Sequence, residues 1–160
     1  MCADLSIRDM AESDLDVVQH LYERMYEEQK TFGMVMELNM DELGDLLRAQ
    51  LKSKLYVSKV AESGDSIVGF AFGSLVRSPK KYRLLDPDNP FIGFIHDVFL
   101  IPEHRGSGAA VRLVSELERE FAEQDVHYVE LHVLSGNARG LRFWEASGYQ
   151  DLLRAMYKRI

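Results

Sequence analysis

The sequence predicts an α/β fold in which a mixed β-sheet is flanked by helices. Segments with strand-like composition alternate with segments whose apolar residues recur at helical spacing. Residues 55–61 and 67–76 are candidate strands, and the turn-rich residues 62–65 between them indicate a hairpin. The later candidate strands are separated by helical segments, as crossover connections require.

Length and composition limit the classes of protein to consider. A chain of 160 residues suits one domain, and 46% hydrophobic with 28% charged residues is ordinary for a soluble globular protein. No apolar run reaches membrane-spanning length, and the N-terminus lacks the build of a signal peptide. The single cysteine, Cys2, excludes an internal disulfide and suits a reducing compartment. We therefore expect a cytoplasmic protein with no membrane partner.

The charge of the chain is negative and unevenly distributed. A net charge of −7 argues against a general nucleic-acid binder, which needs a basic surface to neutralise phosphates. Residues 1–50 hold twelve acidic and only four basic residues. Such a face would attract a cationic small molecule. The alternative is a solvated helix surface that only keeps the protein soluble.

The first half of the chain predicts a short strand, two helices and the hairpin. Residues 5–8 form the strand, and Ser13 is placed to cap the first helix. Gly33 interrupts the helical spacing, and residues 41–52 predict the second helix. After the hairpin, residues 78–90 form a long polar loop, which is either a functional lid or a solvated connector.

The centre of the chain combines a buried strand with a glycine-rich turn. Residues 91–101 are almost unbroken apolar and aromatic, as in a strand buried on both faces, and Pro102 ends this strand. The turn at residues 105–110 leads into a helix with an apolar face. That face comprises Ala110, Val114, Leu117 and Phe121.

Strand, glycine-rich turn and helix start, in this order, predict an anion site. Small residues let the backbone approach a ligand, and the unpaired N–H groups at a helix start point outward. The helix dipole adds a preference for negative charge. A diphosphate is the natural ligand, and a plain tight turn is the alternative.

The last part of the chain predicts two strands around a short helix. Residues 128–134 alternate between apolar and polar side chains. Residues 136–137 lead into a helix over 138–147, and Gly148 occupies a C-terminal cap position. Residues 149–157 are the final strand candidate.

Two separated motifs resemble the GCN5-related N-acetyltransferase (GNAT) family. The first, Arg105-x-x-Gly108-x-Ala110, matches that family's acyl-CoA pyrophosphate loop. The second comprises Asn137, Gly140 where the family prefers alanine, Phe143-Trp144, and Gly148-Tyr149 where it prefers Gly-Phe. The opening IRDMAESDLDVVQHL resembles the family's first strand and helix. The resemblance is weakest over residues 31–90. It implies a single GNAT-like domain over residues 1–160, with a mixed, mostly antiparallel central sheet splayed in the middle and flanked by helices.

The resemblance implies acetyl-CoA as co-substrate and assigns residues to it. The pyrophosphate would be held by backbone N–H groups of Arg105, Gly106, Ser107, Gly108, Ala109 and Ala110. Main-chain groups of Val98 and Leu100 would pair with the pantetheine arm, beside the splay between their strand and residues 128–134. The Asn137 side chain would meet the pantetheine arm or the reacting region. Arg112 either reaches a phosphate or is solvated.

Direct attack of an amine on the thioester calls for a general base, because a lysine-type amine is almost wholly protonated at neutral pH. His96 is the first candidate. It lies two residues before Val98, where some polyamine-type members of the family present a glutamate, and histidine titrates near neutrality. The alternative is a histidine hydrogen-bonded in the core. Strand alternation places Asp97 on the opposite face, unless a bulge shifts the register and makes it the active carboxylate. The histidines and the cysteine show no metal-ligand spacing, so no metal is predicted.

Trp144 is the main departure from the family pattern. Many members have a tyrosine there, whose phenol protonates the departing thiolate, and indole cannot take that role. Three alternatives follow. The thiolate leaves without help, since thiol pKa values lie near neutrality. Tyr149 or Tyr157 supplies the proton instead. Or the protein binds acyl-CoA without transferring the acyl group.

The leading hypothesis is an N-acetyltransferase that moves an acetyl group from acetyl-CoA to a primary amine. The acceptor would be a small amine, a polyamine, an amino acid or a protein amino group. Its pocket would be formed by residues 20–40 and 78–90, where four side chains either line it or belong to the core. They are Tyr22, Tyr26, Met34 and Met36.

Two other functions are alternatives. One is a non-catalytic acyl-CoA-binding sensor or interaction module. The other is a nucleotide binder, although the turn lacks the lysine and Ser/Thr of a P-loop. Dimers are common among proteins that resemble this one, and the sequence leaves monomer and homodimer open.

Overall fold

The computed structural model describes residues 5–78 and 89–160 of the chain. Over these residues the elements are β1 (Leu5–Asp9), α1 (Leu15–Thr31), α2 (Met40–Leu51), β2 (Tyr56–Ser63), β3 (Ser66–Arg77), β4 (Phe91–Leu100), α3 (Ala109–Ala122), β5 (Val129–Leu131) and α4 (Ala138–Ala146). The predicted α/β class is confirmed. Most of the polar loop predicted at 78–90 falls outside the described residues.

The five strands form one sheet in the order β1-β2-β3-β4-β5. Neighbouring strands from β1 to β4 are antiparallel, and β5 alone runs parallel to its neighbour β4. The predicted hairpin is confirmed, since Ser63 of β2 lies opposite Ser66 of β3. The parallel β4–β5 pair follows from the intervening α3, because parallel neighbours need a crossover connection.

Helices cover both faces of the sheet, which divides the core in two. On one face, α1 and α2 pack on Phe70, Phe72 and Phe99. On the other face, α3 packs on a second cluster that includes Ala71 and Ile95. The strand β4 therefore contributes side chains to both clusters, as its unbroken apolar composition predicts.

The start of α1 differs from the prediction that Ser13 caps it. Ser13 lies in a 3-10 turn, Glu12–Asp14, and α1 begins at Leu15 without a side-chain cap. The Asp14 carboxylate accepts a hydrogen bond from the Ala11 N–H at 2.7 Å and two from the Arg8 guanidinium at 2.7 and 3.0 Å. A buried carboxylate with these partners anchors the chain in a turn one residue beyond the predicted cap.

The C-terminal part departs most from prediction. The strand predicted over residues 128–134 is reduced to β5, and a turn closes where the Asn137 N–H donates to the Leu134 carbonyl. Gly148 does end α4 in the left-handed conformation, at φ +90°. The prediction of a strand over residues 149–157 is wrong, because residues 151–160 pair with no sheet edge and are exposed.

Among the described helices, none is both long and apolar enough to cross a membrane.

Candidate active site

A β-bulge in the middle of β4 shapes the site. Phe72 of β3 lies opposite Asp97, but the next residue of β3, Gly73, lies opposite Ile95, so His96 is the extra residue. The bulge that the sequence left as an alternative is therefore present. Alternation would separate His96 and Asp97 to opposite faces, yet both line one pocket. A bulge re-aims side chains in this way.

The bulge also changes the direction of the backbone groups of β4. The Gly93 N–H points toward β5 and donates to the Tyr128 carbonyl, whereas the Ile101 N–H points toward β3 and donates to Val68. Residues eight apart on a regular strand would point the same way. Because of this slip, the main-chain groups of Val98 and Leu100 face the β5 side.

On that side the sheet is splayed. The pairing of β4 with β5 ends at Ile95 and Leu131, while β4 continues to Leu100. The Leu100 carbonyl accepts a hydrogen bond from Arg105 Nε at 2.8 Å. Val98 has no strand opposite it on this side among the described residues. A strand edge open over this length can accept an extended ligand as an added strand.

The glycine-rich turn follows directly. Gly106 and Gly108 have φ of +77° and +85°, a conformation that favours glycine. The Ser107 hydroxyl donates to the His104 carbonyl at 2.6 Å and accepts from the Ala109 N–H at 3.3 Å, which fixes the turn. Within the described part of the chain, the N–H groups of Gly106, Ser107 and Gly108 have no acceptor. They lie next to Ala109 and Ala110 at the start of α3, which is the arrangement that the predicted anion site requires.

The side chain of Arg105 has a different task from its backbone. Its guanidinium forms an ion pair with Glu28 of α1 at 2.7 Å, and Glu28 also lies 3.4 Å from Arg139 of α4. Arg105 therefore ties the turn to α1, and Glu28 links α1 to α4. Arg112 donates to the Leu5 carbonyl at 2.7 Å, so its guanidinium is engaged with β1.

A pocket of about 240 Å³ lies between α1, α2 and the bulge. Its apolar walls are Tyr22, Leu38, Leu43, Leu46, Leu47 and Phe72. The Tyr22 hydroxyl donates to Asp97 Oδ2 at 2.9 Å. Burial raises the pKa of the Asp97 carboxyl above its ordinary value, and the Tyr22 hydrogen bond opposes part of that rise.

The sequence left four side chains as either pocket lining or core, and the structure gives them different positions. They are Tyr22, Tyr26, Met34 and Met36. Tyr22 is both core and pocket wall, since it is 5% exposed and packs on Phe70. Tyr26 lines the pocket, whereas Met34 and Met36 are not among its lining residues. The leucines of α2 were missed as pocket residues. Their signal was the apolar stripe of that helix, which also fits ordinary packing.

His96 also lines this pocket, and aromatic rings surround it. Its Nε2 is hydrogen-bonded to Ser74 Oγ at 2.7 Å, and its ring lies 4.9 Å from that of Phe94. Burial lowers the pKa of His96, and the nearby His132 lowers it further. A lowered pKa favours the neutral imidazole, which is the form that a general base needs.

The second motif forms an N-terminal cap and an aromatic cluster. Asn137 Oδ1 accepts the Gly140 N–H at 2.9 Å and caps α4. A Cβ at Gly140 would lie 2.5 Å from Asn137 Nδ2, so an alanine there would require the Asn137 side chain to shift. Trp144 packs edge-on against Tyr149 with ring centroids 5.1 Å apart.

Neither tyrosine proposed as a substitute proton donor is well placed for that role. The Tyr149 hydroxyl donates to Glu118 Oε1 at 2.8 Å, and burial with this carboxylate raises the pKa of Tyr149. Tyr157 is 76% exposed. Among the described residues, no group of three or more His, Cys, Asp or Glu side chains could hold a metal ion.

Comparison with known proteins adds independent findings. A profile of the Acetyltransferase (GNAT) family matches residues 15–149. No curated protein sequence matches the chain. Among solved structures, a predicted acetyltransferase with acetyl-CoA from Clostridium acetobutylicum is 19% identical, covers 98% of this chain and 96% of its own, and has a TM-score of 0.80.

Two further structures have the same fold. A GCN5-related N-acetyltransferase from Ralstonia eutropha is 24% identical, with coverage of 98% and 99% and a TM-score of 0.79. The aminoglycoside N-acetyltransferase AAC(6')-Iy in complex with CoA is 18% identical, with coverage of 98% and 95% and a TM-score of 0.79. At these identities the likeness concerns the fold.

Proposed function

The chain belongs to the GNAT family of acetyltransferases, and on this premise we propose that it transfers an acetyl group from acetyl-CoA to a primary amine. Membership of the family confirms both the resemblance and the enzyme class that the sequence predicts. One observation carries the proposal. The bulge of β4 puts an open strand edge on one side and an acid–base pocket beside it, so a thioester on that edge would lie next to His96 and Asp97.

We propose that acetyl-CoA binds along β4 and over the glycine-rich turn. Val98 and Leu100 would pair with the pantetheine arm, and the backbone from Arg105 to Ala110 would hold the diphosphate. Open space around Gly106 and Gly108 supports this, since no atom lies within 4 Å of a Cβ built at either position. Asn137 would meet the pantetheine arm through its Nδ2, because its Oδ1 caps α4.

In the reaction, the amine nitrogen attacks the thioester carbonyl, the C–N bond forms, and the C–S bond breaks. Asp97 would position the amine as its ammonium form enters the pocket. His96 would take one proton from the ammonium and pass it to solvent, which frees the nitrogen to attack. It would then take the second proton, which the nitrogen loses after the C–N bond forms. The thiolate would take up a proton from solvent, which suits a site where Trp144 stands at the family's tyrosine position.

A thermal melt with and without acetyl-CoA tests the cofactor. At a hundredfold its dissociation constant a ligand stabilises by about 2.7 kcal/mol. For a chain of this length we expect a rise in Tm of roughly 5–10 °C. A flat result at millimolar acetyl-CoA would exclude the proposed function.

Thiol release with a panel of amines separates the enzyme from its main alternative, an acyl-CoA-binding sensor or interaction module. Amine-dependent release of CoA supports catalysis. Tight binding of acetyl-CoA with no turnover across the panel would support the binding module instead.

We further propose a small-molecule or peptide amine as partner, a cytoplasmic location, one domain over residues 1–160, and neither nucleic acid nor membrane as partner.

We also propose a homodimer in which residues 151–160 of each copy pack on the other. Five large apolar side chains of this segment are 68% exposed or more. They are Leu152, Leu153, Met156, Tyr157 and Ile160. The edge of β5 away from β4 has no strand beside it among the described residues, so it offers a place for such a segment.

A further inference from the structure

The pocket beside the bulge has the chemistry of a receptor for one ammonium group on an apolar body. Resting on the proposed acetyl transfer, we propose that the acceptor is a primary monoamine with a compact alkyl or aryl body, not a polycation. The pocket combines leucine and aromatic walls with a single charged side chain, Asp97, among the described residues that line it.

The walls determine what the body of the acceptor must be. Leu43, Leu47 and Phe72 are at most 5% exposed and offer only carbon to the pocket. A hydroxyl or second amine placed against them would lose its water without gaining a hydrogen bond, which costs several kcal/mol for a charged group. Alkyl or aryl carbon placed there contributes about 25 cal/mol per Å² buried.

The carboxylate determines how the amine is held. Asp97 already accepts one hydrogen bond from Tyr22 at 2.9 Å, which fixes its orientation and leaves acceptor capacity for one ammonium. The other polar groups lining the pocket carry no negative charge near neutrality: His96, Gln50 and the Tyr26 hydroxyl. Among the described residues that line the pocket, a second ammonium therefore finds no further counter-charge.

The size of the pocket and the exposure of one wall residue agree with a compact apolar acceptor. A volume of about 240 Å³ lies below the ~300–1,000 Å³ typical of pockets for drug-sized ligands, so an oligosaccharide amine would have to remain outside. Leu46, one of the pocket walls, is 53% exposed, so the wall reaches solvent as apolar carbon.

Acidic residues outside the pocket do not make it selective for a polycation. Glu37 and Asp45 lie on the segments that form the pocket, but both are exposed to solvent. Exposed charges attract a cation over some distance but add little affinity, because water and salt screen them. They therefore speed the encounter of any amine and do not select a polycation.

The test compares kcat/KM for hexylamine, phenethylamine, spermidine and an aminoglycoside, measured by thiol release from acetyl-CoA. We expect at least a tenfold preference for the two apolar monoamines. A preference for spermidine or the aminoglycoside, with acetyl-CoA raising Tm, would overturn this inference and leave the proposed function intact.

A charge inserted in the wall gives a second test. Leu46 is exposed enough to accept a glutamate without unfolding, and Leu46→Glu should lower kcat/KM for hexylamine about tenfold while raising it for spermidine. Val17→Glu adds the same charge at an exposed position of α1 that does not line the pocket, and should leave the ratio of the two substrates unchanged. An unchanged ratio in Leu46→Glu would contradict the inference.

Failure of the proposed acetyl transfer gives a different result from failure of the proposed acceptor selectivity. If acetyl-CoA neither raises Tm nor releases thiol with any amine, acetyl transfer is excluded. Calorimetric titration of hexylamine and spermidine into the protein still decides the inference. Tighter binding of hexylamine, weakened by Asp97→Asn, supports the pocket's selectivity, and equal or tighter binding of spermidine overturns it.

Discussion

At the residue scale, the positions of His96 and Asp97 have one cause. The extra residue of the β4 bulge brings both side chains to the same pocket. Asp97 is held by Tyr22, which is 75 positions away in the chain, and His96 is held by Ser74. Burial shifts the two pKa values toward neutral forms, upward for Asp97 and downward for His96. Groups shifted in this way beside a pocket are typical of catalytic sites.

We expect His96→Ala to lower kcat about a hundredfold, because a positioned general base contributes on the order of 10²–10⁴. The affinity for acetyl-CoA should stay within about twofold, since His96 lies outside the glycine-rich turn. His20→Ala, at an exposed histidine of α1, is the matched control. Unchanged turnover in His96→Ala near neutral pH would remove His96 from the mechanism.

The pH profile follows from the same residue. The base acts as neutral imidazole, and the folded protein lowers the pKa of His96 below the ordinary 6.5. Activity should therefore be full at pH 7 and fall as the pH drops below 6.5. This acid limb in kcat/KM should be absent from the residual activity of His96→Ala. A limb that persists in the variant would belong to another group.

At the scale of elements, the starts of α3 and α4 illustrate two different uses of a helix N-terminus. The start of α3 follows two glycines of positive φ, and the N–H groups of the turn before it have no acceptor within the described part of the chain. The start of α4 is closed by its own Asn137 side chain. The first is the proposed diphosphate site, and the second stabilises the helix.

We expect Gly108→Glu to weaken acetyl-CoA binding at least a hundredfold, because it adds negative charge and backbone strain at the proposed diphosphate site. Gly64→Glu, in the β2–β3 hairpin at φ +60°, carries similar strain and the same charge, and should keep normal affinity. Isothermal titration of acetyl-CoA into both variants checks this. Normal affinity in Gly108→Glu would place the diphosphate elsewhere.

A double-mutant cycle tests the cap of α4. Gly140→Ala alone should gain little or lose stability, because the new Cβ displaces the Asn137 side chain and its cap, which contributes about 0.5–2 kcal/mol. In an Asn137→Ala background the same change should stabilise by up to about 1 kcal/mol, since alanine favours helix over glycine. Urea unfolding measures both. Equal effects in the two backgrounds would show that the two side chains do not compete.

At the scale of the whole molecule, the two hydrophobic cores lie beside the two proposed binding sites, one core for each site. The core under α1 and α2 contains the pocket, and the core under α3 supports the glycine-rich turn. The bulge in β4 lies between them. Changes in α2 should therefore alter acceptor choice with little effect on acetyl-CoA.

Removal of residues 151–160 tests the proposed homodimer. We expect the full chain to have twice the monomer mass by light scattering at micromolar concentration, and the truncated chain to be monomeric. The acetyl-CoA shift in Tm should remain in the truncated chain, because the segment lies outside the cofactor residues. A monomeric full chain would contradict the homodimer.

The sequence by itself determined the features that depend on neighbouring residues. The hairpin, the glycine-rich turn and the cap at Gly148 follow from local backbone preferences, and the two motifs identified the family. The tertiary structure decided what depends on pairing across the chain. The bulge exists only in register with β3, and the pocket needs α2 beside Asp97. The predicted strand over residues 149–157 did not form. Its composition gives it strand propensity, but a strand also needs the edge of another strand to pair with, and that edge must come from another part of the fold.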